Sequence, residues 1–234
     1  PITNAKDVLE SDHTGPINGV NAQTVTSGAA EGAQVQAQQS LLPRADDSEW
    51  SLGQYSTKQG IWTKNGSNNE NVIVNEAGPF GTITKVWKSE AIDGESSNPS
   101  DSDGGFQNTP TVDRFPLVDD VPYRYTVFAK QNQTDGRMYF GLHGYNSAGT
   151  NTGVNEADGS GLVANKYWWH GDLPTMNEWY LFVGFVNPDG HNTDSQKSGF
   201  YNVSTGERVV ADPSDSSAMP FDDCQFTSTT TSFA

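Results

Sequence analysis

"EWYLFVGFV", Glu178 to Val186, decides how the chain is read. Successive strand residues point to opposite faces, so a strand with one solvated face shows polar side chains at every second position. Here Trp179, Leu181, Val183 and Phe185 form one set, and Tyr180, Phe182, Gly184 and Val186 the other. Both sets are apolar. The stretch therefore reads as a central strand covered on each side.

Working outward, "PYRYTVFAK" alternates, with Tyr123, Tyr125, Val127 and Ala129 against Arg124, Thr126, Phe128 and Lys130. The second set faces solvent, with Phe128 partly covered. "GRMYFGLHGY" follows after "QNQTDG", and the two runs read as an antiparallel hairpin. "GFYNVSTGERVV" offers two more short strands around "STG", and "NENVIVNEAG" and "GTITKVWKS" add strands upstream. Repeated short strands, glycine-rich turns and the lack of a long amphipathic pattern predict an all-β chain, built as an antiparallel β-sandwich. No internal repeat is visible. The tail "CQFTSTTTSFA" is strand-like but stops abruptly.

Residues 1–49 differ. They are rich in Ala, Gln, Gly, Ser and Thr and hold no aromatic residue. They read as an irregular N-terminal arm or linker, or as an arm that orders against a neighbouring subunit. A short helix around Glu31 to Leu41 is weakened by Gly28 and Gly32. The composition breaks at Trp50, so the sandwich is expected over residues 50–234. The chain opens on Pro1 with no legible signal peptide, which reads as a trimmed fragment.

The formal charge of −16 opposes nucleic-acid binding through phosphates, which needs a positive surface. It also opposes an anionic membrane surface, and no run is long enough to span a membrane. Cations, neutral glycans and basic partners are permitted. The single cysteine, Cys224, excludes an intrachain disulfide framework and a CxxC metal cluster. It lies beside two carboxylates in "DDCQF", a setting that disfavours a reactive thiolate. Sequons at Asn65, Asn132 and Asn202 are expected by chance in a chain so rich in Asn, Ser and Thr.

Candidate chemistry is sparse. "NPSDSDGGFQN" sets Asp101 and Asp103 beside Gly104 and Gly105. Carboxylates next to glycine-exposed carbonyls suit calcium, although the spacing is not that of an EF-hand. A tight Asx-type loop uses the same residues for shape alone. Catalytic carboxylates are the weakest reading, since nothing in sequence sets them across a sugar bond. His13, His143, His170 and His191 form no paired metal motif. GxSxG, GxGxxG and P-loop signatures are absent. No catalytic residue is assigned.

"NKYWWHGDLPTMNEWY" is the strongest signal. Adjacent Trp168 and Trp169 on a strand would point to opposite faces, so one is expected to meet solvent, a loop or another chain. An exposed indole stacks on the apolar face of a sugar, with His170 and Asp172 placed for hydroxyls. The same geometry makes a protein–protein hot spot. Against both stands coverage of both indoles by long loops of the same domain.

"SDSDGGFQN", "VPYRYTVFAKQNQTDGRMYFGLHGYNSAGT", "YWWHGDLPTMNEWYLFVGFVNPDG" and "GFYNVSTGERV" occur in an order that resembles a carbohydrate-binding-like β-sandwich module. Such modules are found in phage tail and tail-fibre proteins, bacterial surface proteins and some polysaccharide-active enzymes. The resemblance covers about residues 70–230, and "GDLPTMNEWYLFVGFV" is its most specific part. It implies a non-catalytic, jelly-roll-like sandwich on a virion or cell surface, used for attachment to glycan or as a structural spacer. By the resemblance, Asp101, Asp103 and Gly104 fall in a loop near a metal or turn. Trp168, Trp169 and Asp172 match the motif before the central strand. The family usually continues into one further aromatic strand where this chain ends in "TSTTTSFA". That departure implies a fragment, or a sandwich completed by another segment or subunit through an open edge. Two alternatives accompany the attachment reading: a structural subunit held in a homo-oligomer or larger assembly by its arm and edge, and a polysaccharide-active enzyme.

Overall fold

A computed structural model describes residues 50–54, 62–66, 68–89, 104–108, 114–118, 121–133, 138–156, 166–190, 198–209, 224–225 and 227–233. The expected arm over 1–49 lies outside the described residues. In chain order the strands are β1 (Gly53–Gln54), β2 (Trp62–Asn65), β3 (Asn71–Ala77), β4 (Ile83–Ser89), β5 (Gly105–Asn108), β6 (Phe115–Pro116), β7 (Tyr123–Lys130) and β8 (Met138–Leu142). They continue as β9 (Gly144–Tyr145), β10 (Asn155–Glu156), β11 (Lys166–Gly171), β12 (Trp179–Asn187), β13 (Gly199–Asn202), β14 (Arg208–Val209), β15 (Cys224–Gln225) and β16 (Ser232–Phe233). One 3-10 turn, Asn68–Glu70, precedes β3. Among the described residues the chain is all-β, and no helix is long and apolar enough to cross a membrane.

β12 organises the largest sheet. β7 pairs antiparallel along it from Trp179↔Lys130 to Val186↔Tyr123. A strand has two edges, so the opposite edge is shared end to end. β13 takes Tyr180 to Val183 in antiparallel register, and β15 takes Val186 and Asn187 in parallel register. Both faces of β12 are covered, as its sequence requires. Tyr180, Phe182 and Val186 enter one buried cluster, while Leu181 and Val183 enter another with Tyr201, Phe128 and Phe185. Each fully buried side chain of this size contributes about 1.5–3 kcal/mol of burial free energy.

The expected hairpin between Tyr123–Lys130 and the strand after it does not form. β8 pairs with β11, not with β7. The reason lies in the side chains. Phe140 of β8 stacks on Phe182 of β12, with centroids 4.4 Å apart. The β8–β11 ladder thus lies across one face of β12, with Met138, Phe140 and Leu142 packed into the main cluster. The "STG" turn, by contrast, joins β13 and β14 in antiparallel register.

A second region gathers around the β1–β3–β4 sheet and the β2–β5 ladder. Trp50, Trp62, Ile73 and Trp87 form its buried cluster, with Phe106 packed against them. Asn71 is its polar centre. The Asn71 Oδ1 accepts hydrogen bonds from Trp87 Nε1 at 2.9 Å and Gly105 N at 2.8 Å. Its Nδ2 donates to the Asn65 carbonyl at 2.7 Å. One amide therefore joins β2, β3, β4 and β5.

The β3–β4 hairpin reaches the main sheet through three kinds of contact. Trp179 Nε1 donates to the Ala77 carbonyl at 3.1 Å. Lys130 pairs with Glu76 and lies over the Trp179 ring. Phe80, in the hairpin turn, meets Phe128 edge to face at 5.3 Å. The tail forms β16, which inserts between β6 and β9.

Candidate functional site

The β11–β8 pairing carries a register shift between Tyr167 and Trp169. Tyr167 faces Gly141 and Trp169 faces Phe140, which leaves Trp168 as the extra residue of a β-bulge. A bulge sets two residues against one and interrupts the two-residue alternation. The consequence corrects the expectation that one adjacent indole faces outward: Trp168 is 1% exposed and Trp169 0%. Trp168 stacks on Tyr125 with centroids 5.3 Å apart and donates from Nε1 to the Phe185 carbonyl at 3.0 Å. Trp169 meets Phe200 edge to face at 4.3 Å. Neither ring is available for stacking on a ligand without opening the core.

The residues beside the indoles turn the other way. Tyr139 is 54% exposed and Tyr167 37%, while His170 is half-buried. His170 lies directly opposite Tyr139 across the ladder, and their rings stack with centroids 5.4 Å apart. Tyr167 meets Tyr139 at 5.2 Å and an interplanar angle of 60°. Three rings thus form a continuous surface on the outer side of the ladder. Its inner side is Met138, Phe140, Leu142 and the two indoles. Tyrosine suits such a position because it pairs an apolar ring face with a hydroxyl that both donates and accepts.

Of the sequence-predicted residues that are described, only His170 joins this surface. Asp172, just past β11, accepts a hydrogen bond from Gln131 Nε2 at 2.6 Å. The Gln131 Oε1 in turn accepts from Leu173 N at 2.7 Å. Asp172 therefore helps fasten the end of β11 to the end of β7. Tyr139 was not singled out from sequence, although the alternation of Met138, Phe140 and Leu142 against Tyr139 and Gly141 carries the signal.

Asp101 and Asp103 lie outside the described residues. Gly104 and Gly105, which follow them, are held against β3: Gly105 N donates to Asn71, and a Cβ on Gly104 would meet the Glu70 carbonyl oxygen at 2.7 Å. Among the described residues, no group of three or more His, Cys, Asp or Glu side chains is placed to hold a metal. His143 is half-buried, and burial pushes its imidazole below the ordinary value. Its Nδ1 lies 3.1 Å from the Asn151 side-chain nitrogen, and its ring stacks on Tyr145. Cys224 is buried, its Sγ 3.7 Å from the Phe185 carbonyl.

Set against protein-family models, curated proteins and solved structures, the chain matches none. The reading of this surface rests on its own chemistry.

Proposed function

We propose that the chain is a non-catalytic glycan-binding or attachment module of a virion or cell-surface assembly, and that residues 50–234 form a jelly-roll-like antiparallel β-sandwich. The observation that carries the function is the ring surface of exposed Tyr139 and Tyr167 with half-buried His170. A pyranose offers an apolar C–H face and a rim of hydroxyls. Tyrosine rings cover the first, and phenolic hydroxyls bond the second. The packing of Phe140 on Phe182 supports the sandwich, because it sets one ladder face to face with another. The surface is part of a strand ladder rather than a long loop, so binding needs little ordering.

A glycan array probed with the wild-type chain and with Tyr139→Ala tests the reading. Wild type retains at least one neutral glycan, and Tyr139→Ala loses it at unchanged melting temperature. Retention by the variant, or an array with no hit, overturns the assignment. Cleavage of a bound polysaccharide would replace it with the enzyme reading.

A second reading, a structural subunit in an oligomer, is favoured by the β3–β4 hairpin. Phe80 is 54% exposed and Ile83 65% at its tip. Exposed apolar residues of this size mark contact surfaces when they group. Sedimentation of wild type against Ile83→Lys tests it: an oligomer that dissociates in the variant supports this reading, and a monomer in both removes it. Calcium at Asp101 and Asp103 belongs to the proposal as well. Metal that binds only the folded chain raises its melting temperature, so chelation by EGTA is expected to lower it and added calcium to restore it.

A further inference from the structure

A groove of about 450 Å³ opens between the 174–178 segment and the β13–β14 hairpin. Its residues come from two stiff walls. On the first, Asn177 N donates to the Gln131 carbonyl at 2.7 Å, and Gln131 also holds Asp172 and Leu173. Asn177 adopts a left-handed conformation, φ 66°, which Asn tolerates better than most residues. On the second wall, Asn202 Oδ1 accepts from the backbone nitrogens of Ser204 and Thr205 at 2.9 and 3.0 Å. Gly206 N closes the turn onto the Asn202 carbonyl at 2.8 Å. Asn202 Nδ2 then reaches across to Glu178, fixing that carboxylate between the walls.

The charge in the groove has one sign. Glu178 and Glu207 line it, and among the described residues no lysine, arginine or histidine does. The nearest cation in sequence, Arg208, is turned away. Strand alternation sends Glu207 and Val209 to the groove and Arg208 to the other side, where its Nε donates to the Ser198 carbonyl at 3.0 Å. Thr175 and Thr205 add hydroxyls, and Pro174 and Val209 add apolar wall. Preformed concave sites with a few convergent polar groups on apolar walls are where small ligands bind.

We propose that this groove binds a primary ammonium carried on a hydroxylated ring, as in an amino sugar. Two carboxylates accept from the ammonium in charge-assisted hydrogen bonds, the threonines meet ring hydroxyls, and the apolar wall covers the ring. The site is independent of the aromatic ladder surface.

Titration of the full chain with a β-1,4-linked glucosamine oligomer and with its N-acetylated counterpart tests the proposal. At about pH 6, below the ordinary amine range of about 8, the first is cationic and the second neutral. The amine form is expected to bind at least roughly tenfold tighter, and Glu207→Gln to weaken it by a similar factor. Thr175→Lys, at an exposed lining position, sets a competing ammonium in the groove and is expected to remove binding without touching the core. Tyr139→Ala is expected to leave it unchanged. Equal affinity for the two oligomers, no binding of the amine form, or unaltered affinity in both Glu207→Gln and Thr175→Lys overturns the proposal. Loss of amine binding in Tyr139→Ala alone also overturns it, by moving the ammonium to a cation–π contact on the ladder.

Discussion

Two tryptophan-rich regions stabilise this molecule in different ways. Around β12, Trp168 and Trp169 are neighbours in sequence and pack side by side among Tyr125, Phe182 and Phe200. Around β3, Trp50, Trp62 and Trp87 come from separate segments and converge with Phe106 beside Asn71. The first region is held by ring packing against a strand apolar on both faces. The second is held by ring packing and one amide that bridges four strands. Adjacency in sequence therefore marks a shared role in one region and is no guide in the other.

The largest test of that contrast is truncation of the packed pair. Trp168→Ala and Trp169→Ala are each expected to cost about 3–5 kcal/mol in urea unfolding, as for fully buried aromatic residues. A cost near zero for either would place that indole outside the core and restore it as a ligand-stacking residue. Next comes Asn71→Ala, which leaves the Trp87 indole N–H and the Gly105 amide without their acceptor. The buried indole donor, orphaned in this way, costs about 1–3 kcal/mol, and the part-buried Gly105 amide less. If Asn71→Ala is neutral, the second region is held by its rings alone and the contrast collapses.

Gly184→Ala sharpens the account of the first region. A Cβ there would lie 2.8 to 3.0 Å from three atoms of the Trp168 indole. Overpacking of this kind is expected to cost about 1–3 kcal/mol, and Trp168→Phe in the same chain is expected to recover part of it. Additive losses in the double variant would show that the two positions are not in contact.

The smallest effect is confined to alkaline pH. Burial pushes the Tyr125 hydroxyl up to about 12 from an ordinary value of 10.0. In that window the unfolded chain has released the proton while the folded chain still holds it, so stability falls as pH rises. Melting temperature is expected to drop between pH 10.0 and about 12, with a shallower drop in Tyr125→Phe. Equal slopes in the two chains would mean that the hydroxyl is solvated beside Trp168.

Much of the fold was legible, for identifiable reasons. Glu178 to Val186 announced a strand with two covered faces because its apolar residues ignore the two-residue period. Alternation likewise predicted which side of β7 packs inward: Tyr123, Tyr125, Val127 and Ala129 all meet the main cluster. The β7–β8 hairpin was misread because short-range order outweighed longer-range competitors, the pairing of β8 with β11 and the packing of Phe140 on Phe182. Asn71 was illegible for the same reason, since its partners Trp87 and Gly105 are 16 and 34 positions away. At the candidate surface His170 was found and Tyr139 was not. Attention fell on the largest rings, and the bulge that buries both leaves no trace in a pattern of residue types.

That bulge makes chain length, rather than residue chemistry, a control on the outer surface. Side-chain direction along β11 behaves like a parity bit, and Trp168 is the extra count that flips it. Tyr167 is odd and His170 even, yet both reach the side that Tyr139 occupies. Deleting Trp168 alone would leave Tyr167 and His170 two positions apart, so a regular ladder keeps both on the side of Tyr139 and loses only the extra indole beneath them. Substitution scans would never sample this change, whereas a single-codon deletion would.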